Sequence, residues 1–145
     1  MQHDPRAWLW DVGQASDRIA AFVQGHDFDD YLSDAMLRSA VERQLEIVGE
    51  AFGRLARDAP EIAARLPDFR RAIAMRNALI HGYREVDNQT VWRTVHDDLP
   101  GLRVQVAALL ADWESLRNAR ETVLATIRLV HRVLGGDRAM PDRRH

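Results

Sequence analysis

Apolar residues recur every three or four positions along most of this chain, a helical rhythm, and no segment reads convincingly as a strand. Asp4 followed by Pro5 supplies a cap and a first-turn proline. Trp8, Val12, Ala15, Ile19 and Phe22 then fall at helical spacing. Gly25 to Asp30 reads as a turn-rich break. A second helix is expected from about Ser33 to Arg57, with Leu37, Val41, Leu45, Val48, Phe52 and Leu55 on one stripe. Asp58 to Pro67 reads as a connector with a helical turn at Glu61–Arg65. A third helix opens at Pro67-Asp68 and ends at Gly82. A short helix from Asp87 to His96 follows, and Pro100 is expected to break or kink the chain. From Leu102 the rhythm resumes through Val106, Leu109, Trp113, Leu116, Val123, Ile127, Val130 and Leu134, and stops at Gly135-Gly136. The pattern predicts an all-α, up-and-down helical bundle closed by a long final helix or helix pair. Its expected parts are a helical domain over residues 1–112, a C-terminal helical extension over 113–134, and a disordered tail over 135–145.

Composition narrows the chemistry. The chain has 145 residues, enough for one domain with a real core. It contains no cysteine, which removes disulfides, thiolate nucleophiles and cysteine-bound zinc. The N-terminus has neither a basic nor an apolar signal region, and no stretch is apolar enough for a membrane span, so a soluble, cytoplasmic protein without membrane contact is expected. All 20 basic residues are arginine, most simply a matter of codon choice. A net charge of −2 argues against nucleic-acid binding by bulk electrostatics. The charge is uneven, however: residues 1–112 carry 13 arginines against 18 acids, and residues 113–145 carry 7 against 4. The tail is therefore a candidate contact surface, although a solvated face is the plainer reading.

Candidate chemistry concentrates in Arg76-Asn77-Ala78-Leu79-Ile80-His81-Gly82-Tyr83. A fixed cation, a titratable imidazole and a phenol lie within two turns, a set suited to proton transfer at a phosphate. Phe69, Ile73, Arg76 and Ile80 fall within about 60° of arc, so Arg76 interrupts an apolar stripe and needs an acceptor or a cleft. Gln44 is placed to satisfy part of it; Glu46 and Glu50 are further candidates, although they face away on an ideal helix. Taken alone, Arg76 also reads as an arginine whose stem packs while its head reaches water. His81 lies about 140° further round the cylinder. Asn77, four residues before it, shares its face and is placed to orient the ring. The negative end of the helix dipole favours imidazolium there, and a histidine that merely caps carbonyls fits the same position. The offset suggests that the pair straddles one helix edge or that two subunits complete it. The remaining histidines show no metal spacing. The acidic run Asp27-Phe28-Asp29-Asp30 lacks the glycine and spaced oxygens of a calcium loop and reads as helix-capping acids. No metal or other cofactor is expected.

Together these residues resemble the HEPN superfamily, whose signature is an arginine and a histidine four to six residues apart. More narrowly the chain resembles HepT-like toxins. The resemblance covers roughly Asp4 to Ala111 and rests on Asp4-Pro5-Arg6, on Ala40 through Ala51, on Met75 through Tyr83, on Val91-Trp92 and on Asp98-Leu99-Pro100. It implies an all-α bundle, a two-fold homodimer and a metal-independent endoribonuclease site. It makes Arg76 and His81 the catalytic pair, Asn77 their polar neighbour, and Tyr83 the acceptor of AMP from a cognate MntA-type nucleotidyltransferase antitoxin. The segment from Trp113 onward departs from the family by its length. The reading that follows is an RNA-cleaving toxin of a type VII-like toxin–antitoxin pair. Its rivals are a catalytically weak helical binding partner of a nucleotidyltransferase and, behind it, a nucleotide-binding bundle that uses Arg76 for a phosphate.

Overall fold

The computed structural model describes residues 4–66, 69–82 and 87–135. Among them every regular element is helical. The chain separates into two compact units, residues 1–110 and 111–145.

The first unit is organised around α1 (Pro5–Val23) and α3 (Ala35–Asp58). Leu9, Val12, Ala15, Ile19 and Val23 on α1 are buried together with Leu37, Val41, Leu45, Val48, Phe52 and Leu55 on α3. The two helices pair because each carries a continuous apolar stripe that the other helps to cover. Trp8 Nε1 donates to Asp58 Oδ2 at 2.9 Å, which ties the start of α1 to the end of α3 and makes the pair antiparallel.

The expected break before α3 holds a helix of its own. Asp27 and Asp30 form a reciprocal capping box and start α2 (Phe28–Ser33). The acidic run is thus a capping device. Asp34 then caps α3 by accepting from the Met36 and Leu37 amides, so α3 begins at Ala35 rather than Ser33. α2 buries Tyr31 fully, beside Trp92 at 5.3 Å between ring centroids. Burial, reinforced by the Glu42 charge, pushes the Tyr31 phenol up to about 12. A short α4 (Pro60–Ala63) leads towards α5 (Phe69–His81). The expected start of α5 at Pro67-Asp68 lies outside the described residues.

Pro100 does not break the chain. α6 (Asn88–Arg93) passes through a π-helical turn at Thr94–Asp98 directly into α7 (Leu99–Ala111). In that turn the Leu99 amide donates to the Thr94 carbonyl, five residues back. Pro100 lacks an N–H, and its ring would crowd the carbonyl four residues earlier; the wider turn just ahead gives the room. α7 buries Leu99, Leu102 and Val106, and Val106 packs against the bare backbone of Gly13 on α1. Arg103 to Asp17 at 2.9 Å fastens the same two helices.

The second unit contains α8 (Trp113–Gly135). It begins after a turn at Asp112, so the final segment is a helix pair. α8 is amphipathic, yet Val123, Ile127, Val130 and Leu134 are all exposed. No helix among the described residues is long and apolar enough to cross a membrane. The expected tail, apart from Gly135 at the end of α8, lies outside the described residues.

Candidate functional site

The site is built on the contact of α5 with α3, and a glycine sets its closeness. A Cβ added at Gly49 would sit 2.1 Å from Arg76 Cβ and 2.8 Å from the Ala72 carbonyl oxygen. Only a residue without a side chain lets α5 approach this far. Arg76 therefore lies directly on the α3 backbone, next to Glu50.

Its guanidinium is held from two sides. Nη2 meets Glu50 Oε2 at 2.8 Å, and Nη1 donates to Asn77 Oδ1 at 3.0 Å. Nε is buried and has no protein acceptor. The Arg76 side chain is 29 % exposed, so an anion can still reach it. Glu50 is fixed in turn by Arg54, whose Nε donates to Oε1 at 2.9 Å. The hydrogen bond from Arg54, helped by the charges of Arg76, Arg54 and Arg57 and opposed by partial burial, holds the Glu50 carboxyl below its usual range. Arg54 lies 5.0 Å over the Trp8 ring. A chain of contacts thus runs from Asp58 through Trp8, Arg54 and Glu50 to Arg76 and Asn77, and it fixes the cation before any ligand arrives.

Arg76 opens into a cleft of about 290 Å³ between α1, α3 and α5, whose polar lining includes Asp11, Arg43, Glu46 and Glu50. Arg43 pairs with Glu46 at 3.1 Å. Counted over Asp11, Arg43, Glu46, Glu50 and Arg76, acids outnumber bases by three to two. The cleft offers one well-placed guanidinium rather than a broad positive field.

His81 is the last residue of α5, exposed, and followed by Gly82 at φ +57°, the left-handed residue that ends the helix. It does not line the Arg76 cleft. Tyr83 lies outside the described residues. One expectation changes. Of the three candidate acceptors for Arg76, Glu50 takes the role rather than the better-placed Gln44, whose Oε1 is buried without a partner. Asn77, expected beside His81, has its carbonyl oxygen accepting from Arg76. An ideal-helix projection puts Glu50 off the shared face; the close approach at Gly49 brings it within reach. Gly49 itself was a signal, since a glycine inside a long helix is costly unless packing requires it. Among the described residues no three of His, Asp and Glu come together as a metal site.

Residues 12–109 match the sequence model of the family described as ribonuclease HepT-like. The chain is 31% identical over 113 residues to a protein of Methanocaldococcus jannaschii provisionally named an RNase, covering 78% of this chain and 97% of the relative. It is 35% identical over 103 residues to a Thermococcus cleftensis protein provisionally named ribonuclease HepT, with 71% and 93% covered. A provisionally named RNase of Caldanaerobacter subterraneus subsp. tengcongensis is 33% identical over 106 residues, with 73% and 94% covered. No solved structure matches the chain.

Proposed function

Since the chain belongs to the HepT-like ribonuclease family, we propose that it is an endoribonuclease and the toxin of a type VII-like toxin–antitoxin pair. The observation that carries the reading is Arg76: a part-buried guanidinium fixed by Glu50 and Asn77, yet open to a cleft. In the proposed reaction a ribose 2′-hydroxyl attacks the adjacent phosphorus, the P–O5′ bond breaks, and a cyclic phosphate and a free 5′-hydroxyl result. Arg76 stabilises the charge on the phosphorane, where preorganised donors act most strongly. His81 moves the proton. One chain supplies one such histidine, so acid and base roles divide between two copies in a homodimer whose α5 helices meet. The offset of His81 from the Arg76 cleft supports that division. The chemistry is metal-independent in this reading, because the proton and the charge both have protein partners.

Tyr83 follows the helix-ending glycine and is two residues past the proposed proton carrier. AMP placed there by a cognate MntA-type nucleotidyltransferase adds bulk and negative charge where the RNA phosphate binds, and silences the site. A second reading is a catalytically weak partner of that nucleotidyltransferase. It is favoured by Glu50 already occupying Arg76 and by the cleft's lack of excess positive charge.

Purified protein incubated with RNA in EDTA separates the two. Cleavage that falls at least a hundredfold in both Arg76→Ala and His81→Ala supports the nuclease. No cleavage by the unmodified protein, or cleavage untouched by either substitution, supports the partner reading.

A further inference from the structure

α8 spans about 35 Å at 1.5 Å per residue, and its pattern is more specific than general amphipathicity. Trp113, Leu116, Arg120, Val123, Ile127, Val130 and Leu134 fall at alternating steps of three and four, the a and d positions of three heptads and the first a position of a fourth. Leu124 and Val133 occupy the flanking e and g positions. Large apolar side chains on this face are open to solvent, from 42% at Leu124 to 80% at Leu134. The family match ends at residue 109, before α8 begins. Residues 1–110 bury a full core of their own. The bundle therefore does not need this stripe.

We propose that α8 pairs with α8 of a second copy as an antiparallel two-helix coiled coil. The heptad is self-complementary in that direction. With Val123 level with Ile127 of the second copy, Arg120 falls level with Val130 and Leu116 with Leu134. The a positions Arg120, Ile127 and Leu134 then each meet a d position, and the layers repeat symmetrically about the centre. Leu124 meets Leu124 on one flank, and Val133 meets Ala119 on the other. The exposed apolar residues at a, d, e and g are all covered; Leu129, at an outer position, stays in solvent. Charge chooses the same direction. Two parallel helices would set Arg120 of one copy against Arg120 of the other within the seam. The antiparallel pair separates them, and on one flank brings Glu121 within one residue of the level of Arg128, twice per pair.

The chain has no cysteine, so single introduced thiols report the register directly. Full-length Leu116→Cys and Leu134→Cys proteins are purified separately, mixed, equilibrated and oxidised. The mixed disulfide is expected to exceed either homodisulfide at least fivefold. Adding Ile127→Asp and Val130→Asp to both chains should abolish it. Adding Ala125→Asp and Leu129→Asp, which bring the same charge on the outer face, should leave it in place. Predominant homodisulfides, or crosslinking no greater than that of an outward Asn118→Cys control, would overturn the pairing. Survival of the mixed disulfide in the seam variant, or its loss in the outer-face variant, would do so equally. Control-level crosslinking with binding to vesicles of anionic phospholipid would make a membrane surface the occupant and overturn it as well.

Discussion

At the residue scale the decisive pair is Gly49 and Arg76. A methyl group at position 49 meets Arg76 Cβ and a backbone oxygen, neither of which swings away. Gly49→Ala is expected to lose about 1–3 kcal/mol of stability, as overpacked contacts do, and to lower RNA cleavage by displacing α5. Gly53→Ala, four residues on, meets nothing within 4 Å, and should instead gain about 0.5–1 kcal/mol from helix propensity. Urea unfolding of the two variants checks this, and similar losses in both would refute the close-approach argument. Glu50 supplies a pH test. Its folded carboxyl lies below the ordinary 4.5, so its contribution is present above that value and fades as pH falls through the lowered one. The thermal midpoint of Glu50→Gln should therefore lie below wild type at neutral pH, with the gap closing under acid. A gap that is constant with pH would mean that the carboxylate charge is not what matters. A glycine inside a long apolar-striped helix hints at a close approach, but Gly53 in the same helix carries the same mark and meets nothing, so the sequence does not tell the two apart. The consequence for Glu50 was not legible either, because a helical wheel carries no information on how near two helices come.

At the element scale the helices owe their starts to individual side chains. Asp34 accepts from two amides at the head of α3, and Asp34→Ala should cost about 0.5–2 kcal/mol. Tyr31 marks the opposite case: its ring fills space between α2 and α6, but its hydroxyl is buried without a partner. Tyr31→Phe is therefore expected to be neutral or stabilising, since it removes an uncompensated polar atom and keeps the packing. A melting temperature that falls by several degrees would show that the hydroxyl has a partner in solution. α2 escaped the periodicity reading because six residues are too few to display a helical period; only its capping acids announce it. The π turn before Pro100 escaped for another reason. Proline forbids the regular helix, but several backbone solutions relieve it, and the packing of α7 against α1 selects one that keeps the chain continuous.

At the scale of the whole molecule the proposals concern assembly. If two copies share the proposed site, Arg76→Ala and His81→Ala chains, each inactive alone, should regain part of the cleavage rate when mixed and allowed to exchange. No recovery, in mixtures that form mixed dimers by mass, would place the whole reaction within one chain. Incubation with the cognate nucleotidyltransferase and ATP should add AMP units that disappear in Tyr83→Phe, as read by intact-mass spectrometry. Modification mapped to another residue would move the switch elsewhere.

The sequence by itself determined the helical class, most helix ends, the apolar stripes of α1 and α3, and the family to which the chain belongs. These properties are local or periodic: a cap, a proline, a repeating interval and a motif are all written along one dimension. Tertiary structure alone decided that Glu50 rather than Gln44 receives Arg76, that Asn77 serves the arginine, and that His81 stands apart from the Arg76 cleft. Each depends on the distance and rotation between helices far apart in sequence. That geometry is fixed by which side chain is missing where two helices cross.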